Sequence, residues 1–431
     1  MGTPVATATS WRSGWTYKWT KTRVVLLALV GIAAGAYVYR FGFGLAETTN
    51  LSDRWPWGLW IWQVLGGVAL TGAGFSTALY VHFAGRDEWK SIERAAFMTS
   101  LLGYLMVICV YPPELGRWFN FWRPAVFWGY HSALFEVYWC ISLYTLVQVV
   151  KFGHIFVERV YMPRLGKVVD KAYAPLLVFG IVLPTLHHSS LGSLYVVAKG
   201  LLDPLWWSML IPVFFLLSAL FLGPAMVVVV LYLMGRGKRE KLPMPQLSGL
   251  VRVSGWLMFV YLVLKFADLG ARDQFGHLFD GSAQSIAWLV EIGLCAIVPM
   301  IVYLSKRLRE NPVNLFTASV LVVLGVAFNR INVVLTGMAP SSGGVRYFPS
   351  WAELAVTIGI FAGGTLAYLF VAENFPILPK FAKAQAAAVV AEAEAVAAEA
   401  VAAPAMASGG VSTEPSSTEP EAVAGEGSAG A

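Results

Sequence analysis

The stretch VLPTLHHSSLGS sets His187 and His188 side by side in a run that is otherwise apolar. Similar runs hold His131 and Glu136, Lys265 and Asp268, Glu291, and Arg330. An ionisable group in hydrocarbon costs several kcal/mol unless it is paired or faces a cavity, so each of these is a candidate for chemistry. Histidines and carboxylates exchange protons and make hydrogen bonds. The carbonyl oxygens of a lipid-soluble quinone need both when it is oxidised or reduced. Two other chemistries use the same residue types. A haem b protein needs axial histidines that face one another at matched depth, and His131 with His187 or His188 could hold at most one haem. A secondary transporter would use Glu136 and Glu291 near the midplane, but no duplicated half with matching broken helices is visible.

Spacing shows which of these groups share a helix face, because residues three or four apart lie on one side. Tyr261, Lys265 and Asp268 form one stripe, and Ser132 and Glu136 a second. Gln284, Trp288 and Glu291 form a third, and Asn329, Asn332 and Thr336 a fourth beside Arg330. Lys265 and Asp268 could neutralise each other along one helix. Glu136 and Glu291 have no opposite charge at these spacings, so each needs a partner from another helix, such as Arg330 or His187, or must be protonated. Pro184 has no N–H and leaves the Gly180 carbonyl without its usual donor. A kink is therefore expected just before His187, with Ser189 and Ser190 bonding back to backbone carbonyls.

The elements that position these residues are membrane helices. Of the 431 residues, 57% are hydrophobic and 13% charged, far from the balance of a soluble domain. A bilayer core of about 30 Å needs roughly 20 apolar residues per helix. Ten such spans are predicted, at 24–40, 57–81, 95–111, 126–149, 172–198, 208–234, 250–270, 284–304, 314–337 and 351–372. The expected fold class is all-α, a polytopic membrane protein of about ten helices. A short segment, 1–23, precedes the helical domain 24–375. The tail 376–431 is rich in Ala and Glu and then in Ser, Pro and Gly, so it reads as a helix-favouring stretch followed by disorder.

Most of the 31 Lys and Arg fall in connections on the side of the two termini, which the positive-inside rule makes cytoplasmic. The net charge of +6 then requires no nucleic-acid partner. VVLLALVGIAAGA after KWTKTR also fits a signal peptide, but the run continues through Tyr39 to Arg40, which favours a retained helix. Cys109, Cys140 and Cys295 lie inside spans without a CxxC or Cys/His cluster. No disulfide framework or metal site is expected from them, and they read as buried small residues.

With this orientation every ionisable group named above falls in the outer half of the membrane. The pattern predicts a polar pocket open toward the outer face, lined by the spans 126–149, 172–198, 250–270, 284–304 and 314–337. In the inner half, Ser76, Thr77, Thr99, Ser100, Tyr104 and Tyr144 either line a proton path or bond to backbone. The outer connections, among them YPPELGRWFNFWRPAVFW and APSSGGVRYFPSWAE, are rich in Trp and Pro. They read as an interfacial belt or as a docking surface for a peripheral subunit.

WPWGLWIWQVLGGVALTGAG, TLHHSSLGSLYVVAKGLLDPLWW, KFADLGARDQF and NRINVVLTG followed by YFPSWAEL resemble the NrfD-type membrane subunits of the polysulfide reductase superfamily. The resemblance covers about residues 50–375 and is greatest for the ten-helix branch from hydrogenase-2, sulfite-reductase-associated and menaquinone reductase complexes. It implies a subunit of the bacterial cytoplasmic membrane, not catalytic alone, with no haem or metal of its own. Such a subunit binds menaquinone or ubiquinone near the outer face. Electrons pass between that quinone and a ferredoxin-like iron–sulfur subunit docked outside, which serves a further catalytic or cytochrome subunit. By motif, the matches fall on His187 in LHHSSLG, Asp268 in KFADL, Arg330 in NRINV, Glu353 in YFPSWAEL and, less distinctively, Glu136 in HSALFEVYW. His188 stands where Gln is common in the hydrogenase-2 branch. On these matches His187 and Asp268 are assigned as quinone contacts or proton exchangers, Glu136 as a proton relay and Arg330 as a counter-charge; Glu353 and, from the polar residues of the predicted pocket, His131 complete the expected quinone site.

Overall fold

A computed structural model describes residues 15, 17–83, 85, 89–160, 163–238, 242–375 and 377. Most of the predicted N-terminal segment and the tail from 378 lie outside the described residues.

In hydrocarbon, backbone polar groups must pair within their own segment, so an apolar run becomes a helix. Helix α1 spans Lys21–Phe43, α2 Leu59–Leu70, α3 Ala73–Phe83 and α4 Lys90–Glu114. Then follow α5 Ala133–Val160, α6 Pro163–Val196, α7 Ile211–Lys238 and α8 Met244–Ala271. The last are α9 Ala283–Ile292, α10 Val298–Leu304, α11 Pro312–Ile331 and α12 Trp351–Asn374. Across Thr71 and Gly72, α2 and α3 act as one span, with Thr71 N on the Gly67 carbonyl at 3.0 Å. Among the described residues nine helices are long and apolar enough to cross a membrane. The predicted span 284–304 is the tenth, formed by α9, a π turn at Gly293–Ile297 and α10. The chain is an all-α, multi-pass integral membrane protein, and among the described residues there are only isolated bridges and no strand.

One predicted span begins late. The helix expected from 126 starts at Ala133; Arg123–Val126 is a separate short helix, and 127–132 is irregular. Phe127, Trp128 and Tyr130 raise the hydropathy of this stretch, yet large aromatic side chains settle at the interface. Trp139 Nε1 ties the segment back by donating to the Pro124 carbonyl at 3.1 Å. His131 therefore sits on an exposed turn and not in a membrane helix.

The connections 44–58, 197–210, 272–282 and 337–350 knit into one cap, called here the aromatic end; the opposite end carries the start of α1 and the end of α12, where Arg23 pairs with Glu373 at 2.7 Å. Asn50 Nδ2 donates to the Phe348 carbonyl at 2.8 Å and Trp55 Nε1 to that of Val345 at 2.8 Å. Asp203 N donates to the Gly337 carbonyl at 2.7 Å, and Arg272 Nη1 to that of Pro204 at 2.7 Å. Within the bundle, glycines permit close helix contact. A Cβ on Gly223 of α7 would lie 2.0 Å from Ser76 Oγ, and one on Gly359 of α12 only 2.1 Å from Ala33 Cβ of α1.

Helix α1 is also stitched to α4. Pro113 lacks the N–H that would meet the Cys109 carbonyl, and the Tyr37 hydroxyl donates to that carbonyl instead. Arg40, fully buried, donates to the carbonyls of Pro113 and Leu115 at 2.8 Å each, so helix-end acceptors that have no intrahelical partner are satisfied. Cys140 is buried as expected, but Cys109 is exposed because this face of α4 borders an open groove. The Cys295 side chain lies outside the described ones.

Gly359→Val should lower the unfolding temperature of the detergent-solubilised chain, an overpacking cost of about 1–3 kcal/mol. Gly363→Val, where a Cβ meets nothing closer than 3.6 Å, should leave it near that of the parent. Tryptophan fluorescence during heating checks both.

Candidate functional site

Two buried polar networks occupy the bundle. The first joins α4, α5 and α6. His187 is wholly buried, and its Nε2 lies 2.5 Å from the Tyr104 hydroxyl. The Tyr104 ring meets Tyr144 edge-on, with centroids 4.7 Å apart. Tyr144 OH is 3.2 Å from Ser100 Oγ, and Gln148 Nε2 donates to that hydroxyl at 2.7 Å and to Ser100 Oγ at 2.8 Å. Ser100 with Tyr104, and Tyr144 with Gln148, are each four apart, so each pair shares a helix face. The chain of groups runs from His187 away from the aromatic end.

His188 does something different. Its Nδ1 faces the Pro184 carbonyl at 2.6 Å and its Nε2 the Val68 carbonyl of α2 at 3.2 Å. Ser190 bonds back to the Leu186 carbonyl at 2.9 Å and Ser189 to that of Thr185 at 3.1 Å, as expected beside Pro184. Ser76 and Thr99 donate to the Gly72 and Ala95 carbonyls at 2.8 Å each. Of the polar residues expected to line a path or bond to backbone, Ser100, Tyr104 and Tyr144 thus join the network, whereas Ser76 and Thr99 bond to backbone.

The second network centres on Glu291 of α9, which is fully buried. Its Oε1 accepts from Asn329 Nδ2 at 2.7 Å, and its Oε2 accepts from Trp206 Nε1 at 2.8 Å and Asn332 Nδ2 at 2.9 Å. Arg330 reaches Glu291 indirectly, by donating to the Asn329 side-chain oxygen, and its Nη2 donates to Ser218 Oγ at 2.7 Å. The guanidinium lies 3.6 Å from the Phe215 ring centroid, and the Lys265 ammonium 4.7 Å from that of Phe214, both cation–π contacts. Two π turns, Gly293–Ile297 and Asn332–Thr336, flank the cluster. Such turns are frequent at functional sites.

Four further carboxylates work at the aromatic end. Asp268 accepts from Ser208 Oγ at 2.7 Å and pairs with Arg272 at 2.6 Å, so its partner is one turn onward rather than Lys265. Glu353 accepts from Ser350 N at 2.9 Å, Asn50 N at 3.1 Å and the Tyr347 hydroxyl, and closes a capping box with Ser350. His277 bridges Asp203 at 3.2 Å and Asp280 at 2.5 Å. Burial alone would lower the His277 pKa, but hydrogen bonds to Asp203 and Asp280 hold it above its ordinary value. Asp280 is held down at about 2 by hydrogen bonds from Ser282 and then from His277.

The expected single pocket is thus divided. Glu291, Arg330 and Lys265 come together, and His187 belongs to the other network. His131 and Glu136 are exposed, the latter on the first turn of α5, and join neither. Buried Trp206, Trp288, Phe214 and Phe215 fill the core around Glu291. Open space lies elsewhere, in a groove of about 1540 Å³ between α1, α4, α5 and α12. Trp206, Ser218 and Gln148 were missed because they carry no charge. The amide of Gln148 in the apolar run TLVQVV was the available signal.

The profile of the family described as Polysulphide reductase, NrfD matches residues 45–340. The chain belongs to the NrfD family. It is 32% identical over 374 residues to the probable Ni/Fe-hydrogenase 2 b-type cytochrome subunit of Escherichia coli, covering 84% of this chain and 93% of that protein. It is 28% identical over 388 residues to the menaquinone reductase integral membrane subunit of Nitratidesulfovibrio vulgaris, covering 82% and 90%. A selenate reductase subunit of Mesobacillus selenatarsenatis is 22% identical over 416 residues, covering 83% and 94%. This NrfD chain is therefore a relative of subunits from several oxidoreductases.

A haem of the b type with two axial histidines needs them on facing helices. Among the described side chains, His187 and His188 are neighbours on α6 bonded to Tyr104 and to carbonyls, while His82 meets Glu93 at 3.2 Å at the opposite end. These three described side chains do not form such a facing pair.

Glu291→Ala should destabilise the chain by about 3–9 kcal/mol, since three donors lose their acceptor at roughly 1–3 kcal/mol each. Denaturant unfolding in detergent measures this, and a loss below about 1 kcal/mol would show that water replaces the carboxylate. The His277 cluster makes a pH-dependent contribution. With the folded pKa raised above the usual 6.5, its stabilisation is full below that value and is lost as pH rises through the folded pKa. The melting-temperature gap between parent and His277→Asn should therefore be widest at mildly acidic pH and narrow as pH rises.

Proposed function

We propose that the chain is the quinone-reactive membrane subunit of a respiratory oxidoreductase complex in the bacterial cytoplasmic membrane, with both termini on the cytoplasmic side. It exchanges electrons between membrane menaquinone or ubiquinone and a ferredoxin-like iron–sulfur subunit at the aromatic end. That subunit serves a further catalytic or cytochrome subunit. The observation that carries this reading is the buried His187–Tyr104 pair, 2.5 Å apart, in a chain similar to a menaquinone reductase membrane subunit.

Quinone chemistry moves protons together with electrons. His187 and Tyr104 can pass a proton between them inside the bundle. Ser100, Tyr144 and Gln148 continue the polar groups toward the opposite end, which supports proton movement in that direction and, with it, proton translocation. Arg330 acts as counter-charge to Glu291. Asp268 and Glu353 are engaged at the aromatic end, and His131 and Glu136 stand outside both networks, so proton exchange is assigned to His187 with Tyr104.

In the intact complex, His187→Ala and Tyr104→Phe should each lower quinone-linked electron transfer by about 100-fold or more. Assembly and the dye-linked turnover of the catalytic partner should be retained. Unchanged quinone turnover would sink the assignment. A strong reduced Soret band from the purified chain would replace it with the haem b reading that the name of the E. coli relative suggests.

A further inference from the structure

The groove between α1, α4, α5 and α12 holds none of the residues of either polar network. At about 1540 Å³ it exceeds the roughly 300–1,000 Å³ of small-molecule sites, so a ring alone would leave most of it empty. Along α1 it extends from Val30 to Phe41 and along α4 from Leu102 to the helix end. At about 1.5 Å per residue this is near half of the roughly 30 Å hydrocarbon thickness. A partner's membrane helix would need the full thickness; the groove matches one leaflet.

Its polar lining is concentrated near the aromatic end, where the 115–132 connection contributes Arg117, Asn120 and Arg123. No Asp or Glu lines the groove. Neither arginine has an ion pair among the described residues; Arg123 only lies 5.7 Å from the Phe127 ring centroid. Exposed Trp118, Trp122 and Trp128 on the same connection set it at the level of lipid headgroups. Two uncompensated guanidinium groups above an apolar half-thickness groove complement an anion that carries hydrocarbon chains. A quinone brings chains but no charge.

We propose that this groove binds an anionic phospholipid of the leaflet at the aromatic end, with its phosphate on Arg117 and Arg123 and its acyl chains between α1 and α5. The lipid fills the gap that the α1–α12 pair leaves beside α5. Tyr37 and Arg40 hold the α1 wall to α4 independently of it. The inference does not depend on the quinone reading.

The test uses the full chain, purified and delipidated in detergent, and native mass spectrometry with phosphatidylglycerol and phosphatidylcholine of identical chains. Phosphatidylglycerol should be retained in preference. Arg117→Gln with Arg123→Gln should reduce that retention on the order of fivefold per arginine and leave phosphatidylcholine unaffected, whereas the double lysine variant should keep the preference. Gly363→Leu, which fills the groove where a Cβ has room, should weaken both lipids. Melting temperatures equal to the parent's show that these variants are folded. Equal retention of the two lipids by the parent chain, or glutamine variants without effect, overturns the proposal. One-for-one displacement of phosphatidylglycerol by menaquinone also overturns it and makes the groove a quinone site.

Discussion

A carboxylate can enter hydrocarbon only if donors surround it, and much of the second half of the bundle answers to that requirement at Glu291. Its donors come from three elements. Asn329 lies on α11, Asn332 opens the following π turn, and Trp206 reaches in from the 197–210 connection. Trp206 thereby anchors that connection in the core. Asp203 and Pro204, just before it, then carry the bonds to Gly337, His277 and Arg272 that hold the cap together. The order of the aromatic end follows from the satisfaction of one acid beneath it.

The same requirement explains how prolines inside helices are accommodated. Pro113 deprives the Cys109 carbonyl of a donor, and Tyr37 of α1 supplies one. At α6 the logic separates the paired histidines. The two rings stack with centroids 4.7 Å apart, yet their nitrogens meet different partners. His188 is directed at the Pro184 and Val68 carbonyls and joins α6 to α2, while His187 turns to Tyr104. His188, held between two backbone carbonyls, is thus a structural histidine, and the proton-exchanging candidate is the other.

Hydropathy made the helices legible, because length and apolarity alone decide a span, and it failed where aromatic residues mimic that signal, at Phe127 to Tyr130. Charge made Glu291 and Arg330 legible as partners, since neither finds an opposite charge on its own helix. It could not show that Asn329 mediates between them, because an amide's role depends on which side chains converge on it. Nor could a one-dimensional reading separate residues by face across helices. His187 and Glu291 are both expected in one outer pocket yet belong to different networks, and Glu136, on the first turn of α5, is exposed. The resemblance identified the family; it did not supply the tertiary contacts that engage Asp268 with Arg272 or Glu353 with the 44–58 connection.

The two networks differ in the charge they can carry. Around Glu291, acid and base are present together, so the charge of the acid is compensated and its bonds are fixed by three donors. Along His187, Tyr104, Tyr144, Ser100 and Gln148 the other groups are neutral hydrogen-bonding side chains, and each bond has a donor and acceptor that can exchange roles, apart from the amide of Gln148. An added proton there has no carboxylate among the network's own residues to offset it in a medium of low dielectric. On the proposed reading, the compensating charge is the electron delivered to quinone nearby. Proton entry into this network then becomes favourable only when an electron arrives. Such a neutral chain couples the two movements more tightly than a permanently charged one would, because a resident carboxylate would let the proton enter alone.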